Sequence, residues 1–229
     1  MNLVKFIFTF IKYVGIYKDC KDAYNKGKNT SGVYLINPHS CSSLMNVYCQ
    51  MSADEQWIVF QRRQDGSVNF NRSWVDYVNG FGELEGEHWL GLEKIYCVTK
   101  GGAKLRIDLE DFENETRYAV YSNFSLSDAS DYYRLSVTGY SGDAGDHPTG
   151  LESYHNGQQF STYDVGPWVS CAQLNSGGWW FDNCAYVNLN GLYLRGNYTG
   201  RSVAESGVFW ETFHGEYYSL KFTEMKLNF

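Results

Sequence analysis

The stretch from Cys171 to Cys184, which holds Gly177-Gly178 and Trp179-Trp180 and runs on to Leu189-Asn190-Gly191, constrains the fold more than any other part of this chain. Two cysteines so close around a glycine pair and adjacent tryptophans describe a stapled loop. Its backbone turns sharply while large aromatic surface packs beneath it. The plain structural reading is a disulfide that only stiffens a surface turn, as most short disulfide loops in secreted domains do.

The 229 residues, with 23 Gly and only 3 Pro, suit one globular domain, and no internal domain boundary is visible. A domain of this size buries roughly 70% of the surface its unfolded chain exposes, so it can stand alone. The formal net charge of -7 and the scattered lysines and arginines argue against a phosphate-backbone binder, so nucleic acid is not an expected partner. Six cysteines, at positions 20, 41, 49, 97, 171 and 184, lack the C-x-x-C knuckles of zinc sites and read as disulfides. Spacing alone leaves all fifteen connectivities open. Glycosylation sequons at Asn29, Asn71, Asn114, Asn123 and Asn197 exceed the roughly two that chance gives, which supports secretion. The apolar run Phe6 to Ile11 is too short for a membrane span, which needs about 20 residues. Residues 1–17 therefore read as an N-terminal extension. It is a degenerate signal segment on one reading and an attached helix or strand on the other.

Along the chain, residues 18–52 look like a small cysteine-stapled lobe with strands over Val33 to Ile36 and up to Cys49. The run Trp57-Ile58-Val59-Phe60 predicts a buried central strand. Ser73 is placed to cap a helix carrying Trp74, Tyr77, Val78 and Phe81, and a second helix is expected from Glu87 towards Tyr96. Leu105, Ile107 and Leu109 alternate with Lys104, Arg106 and Asp108, and strands are also expected over 118–121, 132–137 and 217–227. Between Gly139 and Trp180 periodicity fades and glycine, aspartate and asparagine dominate, which predicts loops of the kind that carry binding residues.

Specific blocks then stand in order. They include Val59-Phe60-Gln61-Arg62-Arg63, Gly66-Ser67-Val68-Asn69-Phe70, Gly86-Glu87-His88-Trp89-Leu90-Gly91-Leu92 and Asp108-Leu109-Glu110-Asp111-Phe112. Tyr154-His155-Asn156-Gly157 precedes the stapled loop, and Tyr217-Tyr218-Ser219-Leu220-Lys221 follows it. Over residues 18–229 the chain resembles the fibrinogen C-terminal, or fibrinogen-related, domain, in its ficolin, tachylectin and microfibril-associated branch. The resemblance implies an α+β fold with a disulfide-stapled N-terminal lobe, a central mixed or antiparallel sheet with short helices, and a loop-rich C-terminal binding lobe. It implies the pairs Cys20–Cys49 and Cys171–Cys184, which leaves Cys41 and Cys97 as the third. His88 matches a packing position, and Trp179, Trp180 and Trp210 read as core aromatics.

The resemblance also implies a calcium site in an Asp-x-Asp-x-Asp run before the first cysteine of the loop, but here Phe160-Ser161-Thr162-Tyr163-Asp164 is followed by Val165-Gly166-Pro167-Trp168. One carboxylate is a poor calcium site, since the ion takes six to eight oxygens. Asp164 is thus read as a turn or capping residue and no cofactor is expected. The family's acetyl pocket is implied to be altered, because Asn175, Ala185 and Glu205 replace its usual groups. Asn183, Cys184 and Tyr186 complete the expected ligand-binding set, with a cis peptide implied at Asn183–Cys184. No H-E-x-x-H, G-x-S-x-G or free-thiol arrangement points to catalysis. The expected function is therefore an extracellular, non-enzymatic recognition domain. It would bind a glycan or glycoprotein, as innate-immune lectins of the family do, or alternatively act as a protein-binding signalling or matrix module of the angiopoietin or tenascin kind. With no collagen or coiled-coil tract, oligomerisation is expected only through the domain surface.

Overall fold

The computed structural model describes residues 15–200 and 206–229. The strands are β1 (Ile16–Tyr17), β2 (Gly32–Ile36), β3 (Met45–Met51), β4 (Gln56–Arg63), β5 (Phe81–Gly82), β6 (His88–Trp89), β7 (Ala103–Glu110), β8 (Thr116–Leu126), β9 (Leu135–Gly142), β10 (Val187–Asn188), β11 (Gly196–Asn197), β12 (Phe209–Trp210), β13 (Tyr218–Ser219) and β14 (Phe222–Asn228). Five short α-helices join them: α1 (Cys20–Asn25), α2 (Trp74–Asn79), α3 (Leu92–Thr99), α4 (Val169–Leu174) and α5 (Glu211–His214). The main sheet runs β1-β2-β3-β4-β14-β7-β8-β9, with β6 on β4 and β5 on β6. Among the described residues of this sheet, only the β1–β2 pair is parallel.

The period-two pattern of β7 places Leu105, Ile107 and Leu109 in the core and leaves Lys104, Arg106 and Asp108 half-exposed. Strand β4 is buried along its whole length, as its continuous apolar run requires. The last strand, β14, lies between β4 and β7, with Met225 opposite both Gln61 and Ile107, so the C-terminal segment closes the middle of the sheet. Ile16–Tyr17 pairs with Leu35–Ile36, two residues before the boundary read from the sequence. Residues 1–14 of the expected extension lie outside the described residues.

Ser73 caps α2 as expected, its side chain accepting from the Asp76 N–H, and Gly80 (φ 94°) ends the helix. The second helix begins at Leu92, not Glu87. Its entry is Gly91 (φ 112°), where a Cβ would lie 2.8 Å from the Asn79 backbone, and His88–Trp89 instead pairs with β4. Tyr132 and Tyr133 adopt φ of 52° and 48°, which no strand permits, so β9 starts only at Leu135. It then runs to Gly142, past the glycine-rich point where loop was expected.

All six cysteines are paired: Cys20–Cys49, Cys41–Cys97 and Cys171–Cys184, with Cα separations of 5.6, 5.4 and 5.1 Å. The architecture is the expected α+β arrangement of stapled lobe, central sheet and loop-built lobe. Among the described residues, no helix is long and apolar enough to cross a membrane.

Candidate functional site

The stapled loop rests on an aromatic floor. Trp89, Trp179, Trp180, Phe160 and Tyr77 are fully buried, and Trp180 meets Phe160 edge-on at 5.1 Å between ring centroids. Each indole N–H that faces a carbonyl is used: Trp89 donates to Tyr77 O, Trp180 to Tyr133 O and Trp210 to Gly145 O. Gly178 is dictated by contact, since a Cβ there would lie 2.8 Å from both Phe160 and Tyr77. Its N–H donates to the Tyr77 hydroxyl (3.0 Å), which in turn donates to Phe70 O (2.7 Å). Its C=O accepts from Asn190 Nδ2 (3.0 Å). Gln61 and Arg63 of β4 then hold the carbonyls of Leu189 and Gly191 at 2.8 and 2.6 Å. The loop is thereby fixed to the sheet by buried side-chain amides and a guanidinium.

Arg63 is itself buried against Phe70, 4.0 Å from the ring centroid, and its nearest carboxylate is Glu87 at 3.6 Å. Burial pulls the guanidinium below its ordinary pKa, and the Glu87 charge opposes that. Glu87 also accepts the backbone N–H groups of Gln64, Asp65, Gly66 and Val68 at 2.8–3.2 Å, so one carboxylate shapes the turn after β4. Sequence reading missed this role by assigning Glu87 to a helix.

On the other side of the loop, His155 is fully buried between two backbone groups. Its Nδ1–H donates to Trp180 O (2.7 Å), and its Nε2 accepts from the Val187 N–H (3.2 Å). Both partners require the neutral ring, and burial pushes the pKa down to about 4. The Tyr154 hydroxyl donates to Asp182 O, and its ring meets Tyr186 edge-on at 4.6 Å. The turn 182–186 is therefore held from below.

The sequence-predicted residues fall in distinct places. Asn183 and Tyr186 are exposed and Cys184 half-buried, on one turn that contains a cis Asn183–Cys184 peptide. Asn175 and Ala185 lie beneath the surface, which differs from their expected place in a pocket wall. Asn175 donates to Cys171 O at 3.0 Å, and its carbonyl accepts from Asn188 Nδ2 at the same distance. The Asn175 backbone N–H donates to the same Cys171 carbonyl at 2.8 Å, so side chain and backbone of one residue together close the end of α4. Glu205 lies outside the described residues. His88 is a packing residue, its ring nitrogens facing Gly86 O and Val59 O. Trp179, Trp180 and Trp210 are core. The side chains of all five sequon asparagines are exposed.

Asp164 sits at the start of α2, where its Oδ1 accepts from the Trp74 N–H (2.9 Å) and from Thr162 Oγ1 (2.7 Å). It anchors the approach to Cys171 against the helix. No second carboxylate stands between it and Cys171, so the residues present do not fit a calcium ion.

Comparison with known proteins agrees with this fold. Human microfibril-associated glycoprotein 4 is 46% identical over 220 residues, which cover 91% of this chain and 84% of the relative. The fibrinogen-like globe domain of human ANGPTL2 is 43% identical and superposes with a TM-score of 0.84 over 93% of this chain and 98% of that one. Lamprey fibrin D-dimer, complexed with the peptide ligand Gly-His-Arg-Pro-amide, is 40% identical with a TM-score of 0.83, covering 93% of this chain and 73% of that one. Residues 16–229 match the profile of the fibrinogen beta and gamma chains, C-terminal globular domain, and the chain belongs to that family of non-enzymatic binding and structural proteins.

Proposed function

We propose that this domain acts outside the cell as a recognition module for a glycan or glycoprotein, which it takes at the turn of Asn183, Cys184 and Tyr186 beside the stapled loop. The observation that carries this reading is the turn itself, on which Asn183 and Tyr186 face outward while the Tyr154 hydroxyl and the Cys171–Cys184 bridge hold it from below. Tyr186 adds an exposed aromatic ring of the kind that packs on a sugar face or a side chain. Three disulfides and five exposed sequons suit a secreted protein. The peptide bound to the lamprey relative supports ligand capture by this fold.

A glycan array read with the full chain tests the proposal. Binding that free sugar displaces is expected, with Tyr186→Ala and Asn183→Ala each weakening it tenfold or more. Binding untouched by both substitutions overturns the assignment to this turn. A second reading, a protein-binding module that uses neither sugar nor calcium, is favoured by the exposed Tyr163 on the approach to the loop and Leu174 within it. A silent array together with calcium-independent capture of a protein ligand, lost in a Tyr163→Ser and Leu174→Ser pair, selects that reading.

A further inference from the structure

We propose that the β7–β8 hairpin and α5 together form a site for a divalent transition cation, with Asp111, Glu115 and His214 as its protein ligands and Zn2+ as the probe. Among the described residues this is the one group of three potential ligands whose donor atoms all lie within 4.8 Å of one another. The ligands come from segments about a hundred residues apart, brought together by the return of the chain to the sheet.

Two of the three are held in place by their surroundings. Asp111 is buried, and its Oδ1 accepts from the N–H groups of Glu113 (2.9 Å) and Glu115 (2.8 Å), which directs Oδ2 towards His214 Nε2 at 2.7 Å. The imidazole is stacked on Tyr218, 4.3 Å between centroids at 25°. Tyr218 is in turn tied to the hairpin, donating to Glu113 Oε2 (2.6 Å) and accepting from the Phe112 N–H (3.0 Å). A ligand backed by such a second layer keeps its orientation when a metal enters. Glu115 is the member open to solvent. It is exposed and shares its carboxylate with Arg117 at 2.8 Å, a surface pair worth little that metal binding can displace.

The donor set selects the ion. One imidazole nitrogen with two carboxylates suits Zn2+ and its neighbours, whereas calcium takes oxygen alone. Zn–N and Zn–O bonds of about 2.0–2.2 Å place neighbouring ligand atoms about 3.3 Å apart, so the Asp111–His214 contact opens slightly while Glu115 swings inward. Three protein ligands leave a fourth position for water or for a donor from another molecule.

Isothermal titration of chelator-treated full-length chain with ZnCl2 tests the site. One Zn2+ per chain is expected, with His214→Gln and Glu115→Gln each weakening it tenfold or more. Glu115 is exposed and the His214 ring is partly covered, so far-UV circular dichroism of each variant checks that the fold survives its replacement. The exposed His39 and His147 serve as controls, and His39→Gln with His147→Gln is expected to leave binding unchanged. Tetrahedral Co2+ absorption in the visible, lost in His214→Gln, is the second expected signature. Absent or non-stoichiometric binding, or binding that the two site variants do not weaken, overturns the proposal and leaves a His–Asp hydrogen bond beside an Arg–Glu pair.

Discussion

The central sheet and the loop-built lobe around Cys171–Cys184 satisfy buried backbone groups by different means. In β7, every residue from Leu105 to Glu110 is paired with both β8 and β14, so the ladder serves the backbone and the side chains only have to fill space. In the lobe, the carbonyls of Asn175, Gly178, Leu189 and Gly191 are met by side chains of Asn188, Asn190, Gln61 and Arg63. A substitution in the sheet therefore changes packing. One in the lobe also strands a polar group, which costs about 1–3 kcal/mol for each buried atom left unpaired.

The sharpest test of this difference is Glu87→Leu. It preserves bulk but leaves Arg63 without its charge partner and four N–H groups without an acceptor. Removing one member of a buried ion pair costs about 3–5 kcal/mol, so a loss of that size in urea or guanidinium unfolding is expected.

Acid comes next. His155 binds a proton readily when unfolded, near pH 6.5, but in the folded chain only near pH 4, so folding is favoured in full above about 6.5 and progressively less as pH falls to 4. The difference corresponds to about 3 kcal/mol at about 1.4 kcal/mol per pH unit. Wild type is expected to lose that much more than His155→Gln across this window, measured by unfolding midpoints. Parallel acid profiles for the two proteins break the prediction.

The remaining pair contrasts two fully buried positions, one in the lobe and one in the sheet. Asn190→Leu strands the Gly178 carbonyl and is expected to cost about 2 kcal/mol, while Leu105→Met, equally buried but served by a ladder, is expected to cost less than about 1.5 kcal/mol. Equal losses at the two positions remove the distinction between lobe and sheet.

The same contrast explains what the sequence makes legible. Ladder-paired elements obey periodicity, so β4, β7 and the returning β14 can be read from their apolar patterns, and the Ser73 cap from its local chemistry. Glu87 cannot. Its carboxylate organises a turn twenty residues earlier, while its composition suggests the first turn of a helix. Tyr132 and Tyr133 look like strand residues because their left-handed backbone is imposed by the three-residue 3-10 turn at Ala129–Asp131, not by their side chains. Asn175 looks solvent-facing because amides usually are, and only the position of α4 shows that its Nδ2 faces a buried carbonyl. The family blocks make the stapled loop identifiable, but they do not tell which of its polar residues face outward. The Asp111–Glu115–His214 group has no local signature, since its histidine is about a hundred residues away along the chain.

The bridges Cys20–Cys49 and Cys41–Cys97 span 29 and 56 residues, and their spans overlap. Under tension the covalent path therefore runs from Cys20 across to Cys49, back along the backbone to Cys41, and across again to Cys97. A chain under tension gains little contour length between Cys20 and Cys97, however fully that stretch has lost its fold. In a single-molecule pulling experiment, extension comes from the sheet strands after Cys97 and from the lobe outside Cys171–Cys184, so the molecule behaves as a short inextensible handle joined to a longer spring.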